Sequence, residues 1–180
     1  MTTLTYTYRF ELAVAFVLRA EGGYVNDPAD AGGATCYGIS QRQYPELNIA
    51  ALTQEQAKAI YHRDYWVKCQ CEQFNAPLGC VVFDTAVNMG CRTAIKLLQE
   101  SLDALSAKPV AIDGVIGPQT LAAVMITDED ALITDLLAGR ARRYHNLVVE
   151  RRSQQRFIFG WLKRLHELHH FILKEAHPWH

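Results

Sequence analysis

Glu21, Asp30 and Thr35 stand in a glycine-rich stretch that reads Glu21-Gly22-Gly23-Tyr24, then Asp30-Ala31-Gly32-Gly33-Ala34-Thr35, then Gly38-Ile39. Glu21 closes an apolar helical pattern. The negative end of the helix dipole disfavours a carboxylate there, and partial burial disfavours it further. Both effects keep a carboxyl protonated, which a general acid near neutral pH requires. Gly22 and Gly23 leave open backbone that a substrate can approach. Asp30 follows nine residues later, across a turn-rich hairpin able to fold back on Glu21. Two carboxyls in unlike settings meet the requirement of glycoside hydrolysis: one protonates the leaving oxygen, and the other orients water or stabilises the cationic sugar. Thr35 is suited to holding the water. From composition and spacing alone, a solvated helix end and a turn-forming aspartate account equally for these residues.

Other side chains suit a sugar ligand. Tyr24, Tyr61, Tyr65 and Trp66 offer flat faces to the C–H side of a pyranose. Helical spacing explains Tyr61 and Tyr65 equally well as core. Asn88 is able to bond an N-acetyl group or to cap a helix near Gly90, and Asp84 reads as a buried polar partner.

The elements that must position these residues are mostly helical. Arg9 to Ala20 has few breakers and a wide apolar face, and Gly22-Gly23 ends it. Residues 22–40 carry loop and short-hairpin chemistry. Thr53 with Gln56 forms a capping-box pattern for a helix running to about Trp66. Leu78 to Met89 reads as a central apolar helix stopped by Gly90, followed by a helix from Thr93 to Leu105. Asp113-Gly114 and Gly117-Pro118 make a turn that places Pro118 first in the next helix. Helices over Asp128 to about Glu150 and Phe157 to Ala176 complete the pattern. No repeat or low-complexity linker interrupts it. A boundary near residue 92 divides the chain into 1–92 and 93–180, with a shared core.

Composition sets further bounds. The chain has 180 residues, 49% apolar and 21% charged, enough apolar surface for a packed core. Its longest apolar run, Leu12 to Leu18, is seven residues, against roughly 20 for a membrane span. Glu11 and Arg19 flank that run and no cation precedes it before Arg9, which does not fit a signal peptide. The net charge of −1 is divided: residues 1–139 hold 9 Lys/Arg against 16 Asp/Glu, and residues 140–180 hold 9 against 3. A basic end suits an anionic partner such as a wall polymer. Arg140, Arg142, Arg143, Arg151, Arg152 and Arg156 supply most of it, either as a contact surface or as a solvated face. No base-reading motif accompanies them, so nucleic acid is not expected. The five cysteines, Cys36, Cys69, Cys71, Cys80 and Cys91, form no regular framework and read as reduced thiols.

His166-Glu167-Leu168-His169-His170 contains the zinc-protease pattern. However, Trp161, Leu165, Leu168 and Ile172 define the apolar face of that helix and put His166, Glu167 and His170 on the polar side. Only Glu175, His177 and His180 remain downstream as a third ligand. A solvated helix face is the expected reading, with no metal.

The glycine-rich stretch resembles the signature of the glycoside hydrolase family 108 muramidases, which include phage endolysins and secretion-associated relatives. Tyr61-His62-Arg63-Asp64-Tyr65-Trp66 and the helix carrying Phe83-Asp84, Asn88 and Gly90 resemble the family's catalytic part. Asp113-Gly114-x-Ile116-Gly117-Pro118-x-Thr120 and Gly160-Trp161-Leu162-x-Arg164 resemble its peptidoglycan-binding part. The resemblance implies a mainly α, lysozyme-like fold with a short β-hairpin after the first helix. Residues 1–92 would be catalytic, and residues 93–180 a helical peptidoglycan-binding part. It implies cleavage between N-acetylmuramic acid and N-acetylglucosamine with Glu21 as the acid and no cofactor. Asp30 and Thr35 match motif positions, with Asp27 a rival second carboxylate. The implied partners are peptidoglycan glycan strands and a holin-like export partner, for a protein made in the cytoplasm and acting on periplasmic peptidoglycan in toxin secretion or phage-type lysis. A lytic transglycosylase and a non-catalytic wall-binding secretion scaffold are the alternatives.

Overall fold

The computed structural model describes residues 5–25, 33–106 and 108–176. Seven α-helices make up most of these residues, with one two-stranded antiparallel sheet among them. Helix α1 spans Tyr8–Glu21. Thr7 caps it by accepting from the Phe10 amide, and Gly22 ends it at φ 73°, its own N–H turned back to the Leu18 carbonyl. A left-handed exit of this kind is what glycine permits at a helix C-terminus. Glu21 is therefore the last helical residue, one position beyond the expected end.

Strands β1 (Thr35–Cys36) and β2 (Ile39–Ser40) pair with Thr35 opposite Ser40 and Cys36 opposite Ile39. The turn residues Tyr37 and Gly38 both have positive φ, 50° and 74°. That is the two-residue turn whose twist matches paired strands. Cys36 and Ile39 are buried and anchor the hairpin to the core.

Helix α2 (Gln54–Tyr61) starts at the expected capping box, where Thr53 and Gln56 bond each other's backbone. It continues as a wider π-helical turn over His62–Trp66. Helix α3 (Ala76–Met89) begins two residues before the expected start, with Pro77 in its first turn, and ends at Gly90 with φ 86°. Every residue from Pro77 to Ala86 is buried, so α3 is apolar on all sides and central. Helices α1, α4 (Cys91–Leu105) and α6 (Glu129–Glu150) pack around it. Helix α5 (Pro118–Ile126) starts with Pro118, as expected, and Asp128 caps α6 through the Ala131 amide. Helix α7 (Ile158–Phe171) follows a short 3-10 stretch, Arg152–Phe157, and runs into a π-helical turn over Ile172–Ala176.

One buried amide explains the Asp113 to Thr120 motif. The Gln99 side chain, on α4, donates to Asp113 Oδ1 at 2.9 Å, to the Val115 carbonyl at 3.0 Å and to Thr120 Oγ1 at 3.2 Å. Its own oxygen accepts from the Gly114 amide at 2.8 Å. The turn is wrapped around Gln99, satisfying its buried polar atoms.

Candidate active site

The end of α1, the hairpin turn and α7 converge on the Glu21 carboxyl, with α3 behind the α7 side chain that reaches it. Its side chain is 24% exposed, and Oε1 accepts a hydrogen bond from Arg164 Nη1 at 2.5 Å. Among the described residues, this is the carboxyl's one hydrogen-bonded oxygen. The surroundings are therefore ionic as well as apolar, and to the expected helix end and partial burial the structure adds a cation.

Arg164 is held from behind. Its Nε and Nη2 donate to Asp84 Oδ1 at 2.9 and 2.7 Å. Asp84 Oδ2 accepts from Arg140 Nη1 at 2.6 Å. Arg140 Nε then donates to the Tyr144 hydroxyl at 2.9 Å, and that hydroxyl donates to Asn88 Oδ1 at 2.7 Å. The chain of contacts alternates in sign: Glu21, Arg164, Asp84, Arg140. Asp84 is 1% exposed and Arg140 fully buried, so neither charge has water to stabilise it. Burial pushes the Asp84 carboxyl up, but Arg140 and then Arg164 outweigh burial, and its pKa lies below the ordinary value. Burial likewise works against the charge on Arg164, and Asp84 and Glu21 overcome it, so the guanidinium stays charged.

Arg140 therefore corrects one expectation. It belongs to the arginine-rich sequence of α6 but is not part of its surface. The α6 residue that reads as basic exterior is the counter-ion of α3.

The hairpin closes over Glu21 from the other side. Gly38 leaves no room for a side chain. A Cβ at this position would lie 2.5 Å from the Tyr61 hydroxyl and 2.7 and 2.8 Å from Glu21 Cγ and Cδ. The Tyr61 hydroxyl donates to the Tyr37 carbonyl at 2.7 Å, fixing the turn. Burial, then the Glu21 charge, push the Tyr61 phenol well above its ordinary pKa, so it stays a neutral donor. Gly38→Ala is expected to lower stability by at least about 1 kcal/mol from the left-handed φ alone. It should also slow the reaction by displacing Glu21. A thermal melt and an activity assay on one preparation check both, and an unchanged rate would show that the turn does not set Glu21.

The remaining expected site residues are distributed around this centre. Thr35 lies on β1 and exchanges both backbone hydrogen bonds with Val25, at 2.8 Å each, which ties the hairpin to the segment just after Glu21. Tyr24, in that segment, is 49% exposed. Tyr65 is half-buried, its hydroxyl accepting from Gln43 Nε2 at 2.8 Å. Tyr61 and Trp66 are 1% and 2% exposed. Trp66 stacks edge-on with Phe10 and Phe83, ring centres 5.5 Å apart, and donates to Glu72. Asn88 faces Tyr144 rather than capping α3. Asp27 and Asp30 lie outside the described residues.

Two other sequence features are settled by position. His166, Glu167, His169 and His170 are exposed on α7, while Leu168 is buried. The thiols of all five cysteines are free, and Cys36, Cys69, Cys71 and Cys80 are buried. Arg164 is the site residue that sequence reasoning passed over. It appeared as one position of the Gly160 to Arg164 motif, with nothing nearby in sequence to connect it to Glu21.

Comparisons with known proteins identify the family. Residues 14–90 match the family model of glycosyl hydrolase 108, and residues 93–166 match that of a predicted peptidoglycan domain. Among solved structures, SagA of Brucella abortus is similar over almost the whole chain. The TM-score is 0.77 at 31% sequence identity, covering 93% of this chain and 95% of that one. None of the curated proteins matches the chain. With one model covering the segment that bears Glu21, the other the segment that bears Arg164, and a full-length relative spanning both, the chain belongs to the glycosyl hydrolase 108 family and is a peptidoglycan hydrolase.

Proposed function

We propose that this hydrolase is an N-acetylmuramidase, cutting the β-1,4 bond between N-acetylmuramic acid and N-acetylglucosamine. Glu21 protonates the glycosidic oxygen. Asp30, aided by Thr35, supports the attacking water or the positive charge developing on the sugar, with Asp27 the other candidate for that role. The observation that carries this reading is the placement of Glu21. It is a part-exposed carboxyl at a helix end, with one oxygen engaged by Arg164 and the hairpin turn packed against its stem. Tyr24 and Tyr65 offer ring surface to the glycan. Tyr61 and Trp66 contribute by holding the turn and the core in place, and Asn88 by holding Tyr144.

In this reading residues 1–92 carry the chemistry and residues 93–180 recognise the wall, packed as one unit. The family models, which meet between residues 90 and 93, support that division. The substrate is periplasmic peptidoglycan, reached with a holin-like export partner, in the service of secretion or phage-type lysis. No helix among the described residues is long and apolar enough to cross a membrane.

Product chemistry tests the reading. Purified peptidoglycan is digested with the enzyme and the muropeptides are identified by mass spectrometry. Reducing-end N-acetylmuramic acid is the expected product. Reducing-end N-acetylglucosamine would place the cut at the other bond. A 1,6-anhydro ring would make the enzyme a lytic transglycosylase, and tight wall binding without release would leave a scaffold.

A further inference from the structure

Arg164 connects two segments that the family models treat separately. It lies on α7, within the segment matched by the peptidoglycan domain, and its partner Glu21 lies 143 residues earlier. Three nitrogens of the guanidinium are committed, one to Glu21 and two to Asp84 Oδ1. Asp84 cannot move to follow, because its second oxygen is bound by the fully buried Arg140. The orientation of Arg164 is thus set by the interior of the protein and not by its own flexible stem.

We infer that Arg164 is a positioning residue of the reaction, acting through Glu21: it aims the carboxyl and stabilises the charge left there when the proton is given up. The inference rests on Glu21 being the general acid. With Oε1 accepting from Arg164, the proton of the acid form sits on the other oxygen. In the step itself the Glu21 O–H bond breaks, the proton goes to the glycosidic oxygen, and the C–O bond to the leaving sugar breaks with its electron pair retained by that oxygen. Glu21 becomes a carboxylate beside a fixed cation in a part-buried site, where a charge interaction is stronger than in water. A fixed cation costs little reorganisation at that moment, which favours transition-state over ground-state stabilisation. The wall-recognition segment is then also a component of the active site.

Among the described residues, the charged and titratable groups facing Glu21 are Arg164 from α7, Tyr61 from α2, and Asp84 of α3 behind Arg164. Tyr61 stays neutral and Asp84 stays charged near neutral pH, so the cation is the one that variants can remove.

The test compares wild type, Arg164→Gln and Arg164→Lys on soluble peptidoglycan fragments, with a thermal melt of each preparation and rates taken per folded enzyme. For Arg164→Gln, kcat is expected to fall about 10²-fold with little change in KM. Arg164→Lys should recover most of kcat. The split between kcat and KM, with rescue by lysine, is what a merely structural role would not produce. A kcat near wild type in Arg164→Gln, or equal losses per folded enzyme in both variants, would overturn the role of Arg164 while leaving the function proposed above. A wild type that releases no muropeptides would overturn both.

Discussion

Glu21→Gln is expected to slow glycan cleavage by about 10²–10⁴-fold, the range lost when a positioned general acid is removed. The substitution keeps the shape of the side chain. The amide oxygen still accepts from Arg164, and the stem still fits beneath Gly38, where the margin for any larger group is absent. Only the transferable proton and the charge are lost. Stability should fall by no more than about 1 kcal/mol, since Glu21 is part-exposed and Arg164 keeps its second carboxylate. A rate of muropeptide release measured beside a thermal melt separates the two effects. A variant that folds as wild type and keeps a rate within tenfold would move the acid role to another residue.

The second large effect is on stability. Asp84→Asn is expected to cost about 3–5 kcal/mol, because it leaves a buried cation without its counter-ion. Arg140 is fully buried and Arg164 nearly so, and both direct hydrogen bonds at Asp84. The replacement opens no cavity, so the loss is electrostatic. In a chain of this length it corresponds to a fall in Tm of about 6–20 °C. The pH dependence has a definite sign. The folded pKa of Asp84 is depressed, so the stability it contributes is fully present above the unfolded value near 4 and is lost as pH falls through the folded value. The gap between wild type and Asp84→Asn should therefore be constant from about pH 5 to 8 and narrow below about pH 4. Urea unfolding at pH 7 and at pH 3 checks this. A gap under 1 kcal/mol at neutral pH would mean that the arginines find other partners when Asp84 is neutral.

These predictions fall on opposite sides of what was readable beforehand. Glu21 was legible as a candidate because the signals are local. An apolar helical period, two glycines and a hairpin pattern each act over a few residues. The caps at Gly22, Thr53–Gln56, Gly90 and Pro118 were legible for the same reason. The resemblance to a family added the class of substrate. The boundaries were less exact: α3 and α4 each start two residues earlier than their apolar pattern suggests, since a helix also takes in the turn that precedes its buried face.

Arg140 and Arg164 were not legible. Along the chain Arg140 is one member of an arginine cluster, and the charge balance of residues 140–180 describes a basic exterior. Its burial, and that of Asp84, come from α6 and α7 packing on α3, between residues 56 and 80 positions apart. Tyr61 and Trp66 pose the same ambiguity in reverse. Their helical spacing suits a sugar groove or a core, and the packing of α2 and its π-helical turn against Phe83 puts them inside.

By itself, the sequence determined the helices, their stops, the hairpin turn and the identity of the acid candidate, because those depend on backbone geometry and short-range hydrogen bonds. The tertiary structure alone decided which charges are buried and which oppose Glu21. Desolvation exists only once distant helices meet, and it turns Arg140 from one member of a basic stretch into the buried counter-ion of Asp84, which in turn holds Arg164 against Glu21.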